Sequence, residues 1–153
     1  MEQDFDEKVP EIDDTELTQR QIDTLTEQVK RYQDEITVAS QNSDPETLSN
    51  GLLKLARINS ALGRQAAYAK YLARNADRSA RRFRAKQTLD YSKSAAVNKS
   101  ELQAELDAKT GFRVASEAQL IADQADDLCF RTDTFLKLAQ SRLSLIKNDA
   151  KRA

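Results

Sequence analysis

The sequence predicts an all-α protein built from long antiparallel helices, a helical hairpin or coiled-coil-like pair, preceded by a shorter leading helix. Three observations carry that expectation. With three Gly, two Pro, no Trp and 6% aromatic residues in 153, the chain lacks both the turn residues and the β-branched or aromatic runs that a sandwich or barrel requires. Its apolar residues recur at steps of three and four, the helical period. After Pro45 there is no further proline, so nothing in the remainder forces a helix to stop by removing a backbone donor.

The elements follow in order. Residues 1–14, MEQDFDEKVPEIDD, hold seven acids, one base and a proline with no apolar period, and are expected to form a disordered acidic arm. The rest, 15–153, reads as a single helical domain. From about 15 to 41, Ile22, Leu25, Val29, Tyr32, Ile36 and Ala39 fall on one face, while Gln19, Asp23, Glu27, Lys30 and Asp34 occupy the other. Ser43-Asp44-Pro45-Glu46 is a helix start: Ser43 or Asp44 can accept from free amides, Pro45 stands where its missing N–H costs nothing, and Glu46 closes a capping box if Ser43 is the cap. The second helix, about 45–91, places Leu48, Leu52, Leu55, Leu62, Ala66, Ala69, Ala73, Ala76, Ala80 and Phe83 on its inward face. At ~1.5 Å per residue it is roughly 70 Å long, too long to be covered except by another long helix or by copies of itself.

A break is expected in the Ser- and Asn-rich stretch YSKSAAVNKS, residues 91–100, with Asn98 and Ser100 as caps for a third helix of about 100–147. Its inward face reads Leu106, Val114, Ala118, Ile121, Ala125, Leu128, Phe135, Ala139 and Ile146, with Gly111 as the place for a bend. Alanine dominates the middle of the second helix. Small side chains let helix axes approach closely but bury little area, at ~25 cal/mol per Å², and so the protein is expected to assemble as a homo-oligomer.

Several function classes are excluded at this level. There is no His and one cysteine, Cys129, which removes the usual general base, the commonest metal ligand and any internal disulfide. Cys129 itself reads as a small buried hydrophobe. Paired acids such as Asp126-Asp127 point about 100° apart on a helix, not toward one ion. No Gly-rich phosphate loop, nucleophile elbow or zinc spacing is present. The sequence therefore predicts no enzyme, no cofactor and no metal. With no apolar run of about 18 residues and acids rather than bases after Met1, neither a membrane span nor a signal peptide is predicted, and a cytoplasmic location is expected.

Charge is informative because it is segregated. Residues 1–48 carry fourteen acids against four bases, a balance of −10; residues 49–99 carry twelve bases against Asp77 and Asp90, a balance of +10; residues 100–153 balance to −1. Fields act locally, over about a Debye length of ~8–10 Å, so a distant acid does not cancel a basic stripe. Lys70, Arg74, Arg78 and Arg81 step by four, four and three along one helix face, Arg84 lies beside them, and Arg82 and Lys86 flank the row. Guanidinium forks pair with phosphate oxygens. Of the interleaved rings Tyr68, Tyr71, Phe83 and Tyr91, Phe83 falls on the apolar face, leaving Tyr71 and Tyr91 as candidates to stack on unpaired bases. The same row also reads as a solvated face whose charges pair with the acidic leading helix. The arm, in turn, reads as a nucleic-acid mimic covering the stripe, as a docking segment for a basic partner, or as a solubilising tail.

The stretch AKQTLDYSKS, followed some fifty residues later by SRLSLIKND, resembles the recombination mediator proteins of tailed phages, the UvsY type. The matching positions are Lys86, Leu89, Asp90 and Tyr91, then Ser141-Arg142 and Ile146-Lys147, within a likeness that covers about residues 48–148. The chain departs from the family pattern at Thr88, where the family tends to a second base, and its acidic first forty residues have no clear counterpart. The resemblance implies a non-enzymatic accessory factor of homologous recombination in the cytoplasm of a bacterial host. Such a factor is a ring of identical subunits that binds single-stranded DNA and helps a recombinase load on strands coated by single-strand-binding protein. Two readings from other classes stand beside it: a structural or assembly coiled-coil interaction protein, drawn from the long apolar faces, and a small inhibitor that enters a nucleic-acid channel through its acidic arm.

Overall fold

The computed structural model describes residues 12–93 and 97–152, with the side chains at 12–13, 91–92 and 97–100 left aside. Among the described residues there are three helices and no strand: α1 (Ile12–Gln41), α2 (Pro45–Ser92) and α3 (Val97–Arg152). The protein is all-α. Two compact units are built from these helices, one from the described residues up to Thr18 together with Tyr68–Ile121, the other from Gln19–Ala67 with Ala122–Ala153.

The link between α1 and α2 is a two-way cap. Ser43 adopts a left-handed conformation, φ 54°, which turns the chain out of α1. Its N–H then donates to the Ser40 carbonyl at 3.3 Å and the Asp44 N–H to the Ala39 carbonyl at 2.9 Å, the six-to-one and five-to-two pairing of a Schellman end. One residue on, the Asp44 carboxylate accepts from the N–H groups of Glu46 and Thr47, both at 3.1 Å. Asp44 is thus the N-cap of α2, and Ser43 is the last turn residue of α1.

The unit formed by Gln19–Ala67 and Ala122–Ala153 holds the large apolar side chains. Val29, Ile36, Leu48, Leu52, Leu55, Leu136 and Ile146 are buried together, with Tyr32, Leu128 and Phe135 packed against them. Ile36 lies so close to Gly51 that a Cβ there would meet its Cγ1 at 2.8 Å, and the Lys54 ammonium stands 5.5 Å from the Tyr32 ring centroid. Numbers fall on α1 as they rise on α2, so the two helices are antiparallel. Thr132 is fully buried in this unit, and the half-buried Cys129 sets its Sγ 3.9 Å from the Asn59 carbonyl.

The other unit is packed by alanine. Leu72 and Ala73 bury against Ala118, Ala76 against Val114 and Ala115, and Ala80 meets Gly111. Numbers rise on α2 as they fall on α3, which makes this pair antiparallel as well. Ala104 and Ala108 are fully covered, and α1 adds the buried Thr15 and Thr18.

Several expectations are corrected. α1 begins at Ile12, so residues 12–14, expected to belong to the disordered arm, are helical; residues 1–11 of that arm lie outside the described residues. α2 reaches Ser92, and α3 runs Val97–Arg152, so Asn98 and Ser100 lie inside a helix rather than capping it. Of the two cap candidates for α2, Ser43 and Asp44, Asp44 takes the role. Phe83 and Leu106, both expected in the core, are exposed at 43% and 54%. In the register of α3 the inward positions are Ala104 and Ala108; Leu106 is two residues from each, about 200° round the helix, and faces out.

Candidate nucleic-acid interface

The basic row belongs entirely to the alanine-packed unit. Along this part of α2 the buried positions are Ala69, Leu72, Ala73, Ala76 and Ala80. At 3.6 residues per turn a position two away from a buried residue points to the other side. Arg74 lies two from both Leu72 and Ala76, Arg78 two from Ala76 and Ala80, and Arg82 two from Ala80, so inward alanines drive these arginines outward. Arg74, Arg78, Arg81, Arg82, Arg84 and Lys86 are exposed, and Lys70 is half-buried. From Lys70 to Lys86 the row measures about 24 Å along the axis at ~1.5 Å per residue.

Seven bases and one acid, Asp77, fall within residues 70–86. Arg81 Nε pairs with Asp77 Oδ2 at 2.8 Å, one turn back on the same helix, and Arg84 Nη2 reaches Glu105 Oε2 of α3 at 3.8 Å. All four partners are well exposed, and pairs of that kind contribute about 0–1 kcal/mol. They hold two guanidinium groups in place at low cost to phosphate exchange, and they leave the face strongly positive. Glu105 is a partner that helical periodicity on α2 gives no means of finding.

Aromatic rings border the row. Tyr68 and Tyr71 are 44% and 57% exposed, and their rings stack at a centroid separation of 6.1 Å with 22° between planes. Phe83 is also exposed, but it stands seven residues from Ala76 and so on the seam side of α2, away from the row. Tyr91 lies in the last turn of α2, and its side chain is outside the described residues. Below the row, Arg81, Arg84, Ala85, Thr88 and Leu89 line an open depression. The surface therefore offers fixed positive charge and planar apolar faces, which is chemistry suited to a polyphosphate carrying unpaired bases.

Among the described residues no three acidic or thiol side chains gather where they could hold a metal ion, and no helix is long and apolar enough to cross a membrane. No protein-family model, curated protein or solved structure matches the chain.

Proposed function

We propose that this is a non-enzymatic protein that binds single-stranded nucleic acid along the outward face of α2 from Lys70 to Lys86. The observation that carries the reading is the row of exposed arginines set on the reverse of an alanine seam. The apolar seam on the opposite side of α2 closes the helix pair, and arginine is the side chain best matched to phosphate. At a finer level we propose a recombination mediator in the cytoplasm of a bacterial host, loading a recombinase on strands coated by single-strand-binding protein. The resemblance over residues 48–148 supports that level. Assembly of identical subunits would multiply a modest row into an avid surface.

The test is a titration of an unstructured oligonucleotide at several salt concentrations. The parent is expected to bind with an affinity that falls steeply with salt. Replacing Arg78 and Arg81 by Ala should leave helicity intact, since Ala is the best helix former. The log–log salt slope should flatten by ~0.7 per lost phosphate contact, equally for different base sequences, because phosphate contacts carry no sequence information. A parent that binds no oligonucleotide at low salt sinks the reading.

A second reading, an assembly coiled coil, has its own observation: Leu102, Leu106 and Leu120 stand exposed on α3 at 61%, 54% and 58%, an apolar face suited to a further helix. Self-association is expected under either reading, and a sedimentation mass of 17 kDa at micromolar concentration would exclude it. Salt-dependent oligonucleotide binding separates the two.

A further inference from the structure

Phe83 interrupts a covered row. Counting back from it by sevens, Ala76, Ala69, Leu62, Leu55 and Leu48 are each at most 1% exposed, while Phe83 is 43% exposed. Residues seven apart keep one face toward a paired helix, so Phe83 is on the covered face of α2 and lacks its cover. The gap is on the side of α1. Thr15 and Thr18 are buried in this unit, and the described part of α1 starts at Ile12. Ile36 meets Gly51, and equal steps along the two antiparallel helices set Ile12 level with about Asn75, eight residues or ~12 Å short of Phe83 at ~1.5 Å per residue. The neighbouring row, again by sevens, runs from Gly51, which touches α1, through the buried Leu72 to the exposed Lys86.

We propose that residues 1–11 of the same chain continue past Ile12 along this side of α2 and cover Phe83. Because α1 is antiparallel to α2, the chain before Ile12 heads toward Phe83. Pro10 has no N–H to carry α1 backward and disfavours helix at Val9. An extended segment then brings Val9 about 10 Å beyond Ile12, to Phe83, and Phe5 about 23 Å beyond it, at ~3.3 Å per residue. Met1, Phe5 and Val9 are even numbers of residues apart and share one side of such a segment. Its charge suits the border as well. Residues 1–11 hold five acids against one base, Arg82 and Lys86 flank Phe83, and Glu7 falls level with Lys86. The surface covered is the apolar seam side of α2, on the reverse of Arg74 and Arg78. The inference is independent of the nucleic-acid reading, and neither arm of its test contains nucleic acid.

The experiment uses the full chain. Glu7→Cys is combined with Lys86→Cys in a Cys129→Ser background, which leaves two thiols and keeps Phe5, Val9 and Phe83. Mild oxidation is expected to join them within one chain, with a yield that does not change with protein concentration. Glu7→Cys with Arg78→Cys, on the outward row, should stay reduced. In parallel, Phe5→Trp supplies the only tryptophan of the protein. Its emission should lie to the blue of the same variant in urea, and adding Phe83→Ala should shift it toward the urea value with circular dichroism unchanged. Linking through position 78 instead of 86 puts the segment on the row and overturns the proposal. Linking only between chains also overturns it, because the cover would then come from a second copy. No link at either position, with an indole as exposed as in urea, overturns it outright. Should Phe83→Ala unfold the helix pair, the thiol pair, which retains Phe83, decides alone.

Discussion

Gly111 and Gly63 are both helical glycines, yet their surroundings forecast opposite outcomes for the same substitution. A Cβ on Gly111 would sit 2.9 Å from the Ala80 Cβ, whereas one on Gly63 meets nothing within 4 Å. In both places Ala removes the backbone-entropy penalty of Gly, about 0.5–1 kcal/mol. At position 63 that gain is uncompensated, and Gly63→Ala should raise the melting temperature. At position 111 the methyl has only another methyl and backbone to push against, neither of which can rotate away, so overpacking of about 1–3 kcal/mol outweighs the gain. Gly111→Ala should therefore melt lower than the parent, as read by circular dichroism. Gly111 had been expected at a bend; its neighbour shows that it is needed for close approach of two helices. Periodicity identifies a residue's face but not the distance to whatever covers it, and so this role was not legible before the partner Ala80 was known. Phe83 makes the same point in reverse. In its unit the described part of α1 ends at Ile12, two paired helices cover only a narrow stripe on each, and a ring at the stripe's edge stays open.

Among the elements, the α1–α2 connection was the most legible and is also the most sensitive to pH. Ser-Asp-Pro-Glu announces a helix start because each residue suits a distinct capping position, and the prediction that α2 starts at Pro45 holds to the residue. What remained open, Ser43 or Asp44 as cap, depends on which one takes the left-handed turn. The hydrogen bond from the Thr47 side chain, then that from its backbone N–H, hold the Asp44 carboxyl below its ordinary value of 3.8 against desolvation, with a lesser contribution from the Glu46 N–H. A carboxyl lowered in the folded state adds stability that is whole above the ordinary value and is lost as pH falls through the lowered one. The midpoint of urea unfolding should therefore drop on acidification below about pH 4, and Asp44→Asn, which retains an acceptor without the charge, should show a smaller drop. Ser43→Gly relieves a non-glycine left-handed residue and should stabilise by up to about 1 kcal/mol.

For the chain as a whole, the two units differ in what they bury. One is packed by Leu, Ile, Val and aromatic side chains, the other by Ala with few larger residues. Since stabilisation scales with apolar area removed from water, amide exchange should be slower in residues 19–67 and 122–152 than in 68–121. Within α2, one continuous helix, protection should fall past Ala67. Uniform protection along α2 would contradict this account. The leucine-to-alanine change along α2 was legible in the sequence as an alternation of residue size, and so was the outward placing of Arg74, Arg78 and Arg82 between inward alanines. The cross-helix contact of Arg84 with Glu105, and the exposure of Phe83 and Leu106, were not, because each depends on the register of α3 against α2, which no single-helix pattern encodes.

Asp44 serves two helices at once: its N–H closes the end of α1 on Ala39, and its carboxylate opens α2 on Glu46 and Thr47. That sharing bears on the order of folding events. A helix in isolation must pass an unfavourable nucleus, but here the first turn of α2 and the last turn of α1 are organised by the same residue, so one nucleation event serves both. The pairing it brings about, Ile36 with Gly51, spans few residues and closes a short loop at little entropic cost. The α1–α2 hairpin thus has the shortest route to its native contacts. Destabilising substitutions at Asp44 should slow refolding more than they hasten unfolding, and the stabilising Ser43→Gly should speed it, whereas substitutions in the alanine seam, where the paired helix positions are far apart in sequence, should act chiefly on the unfolding rate.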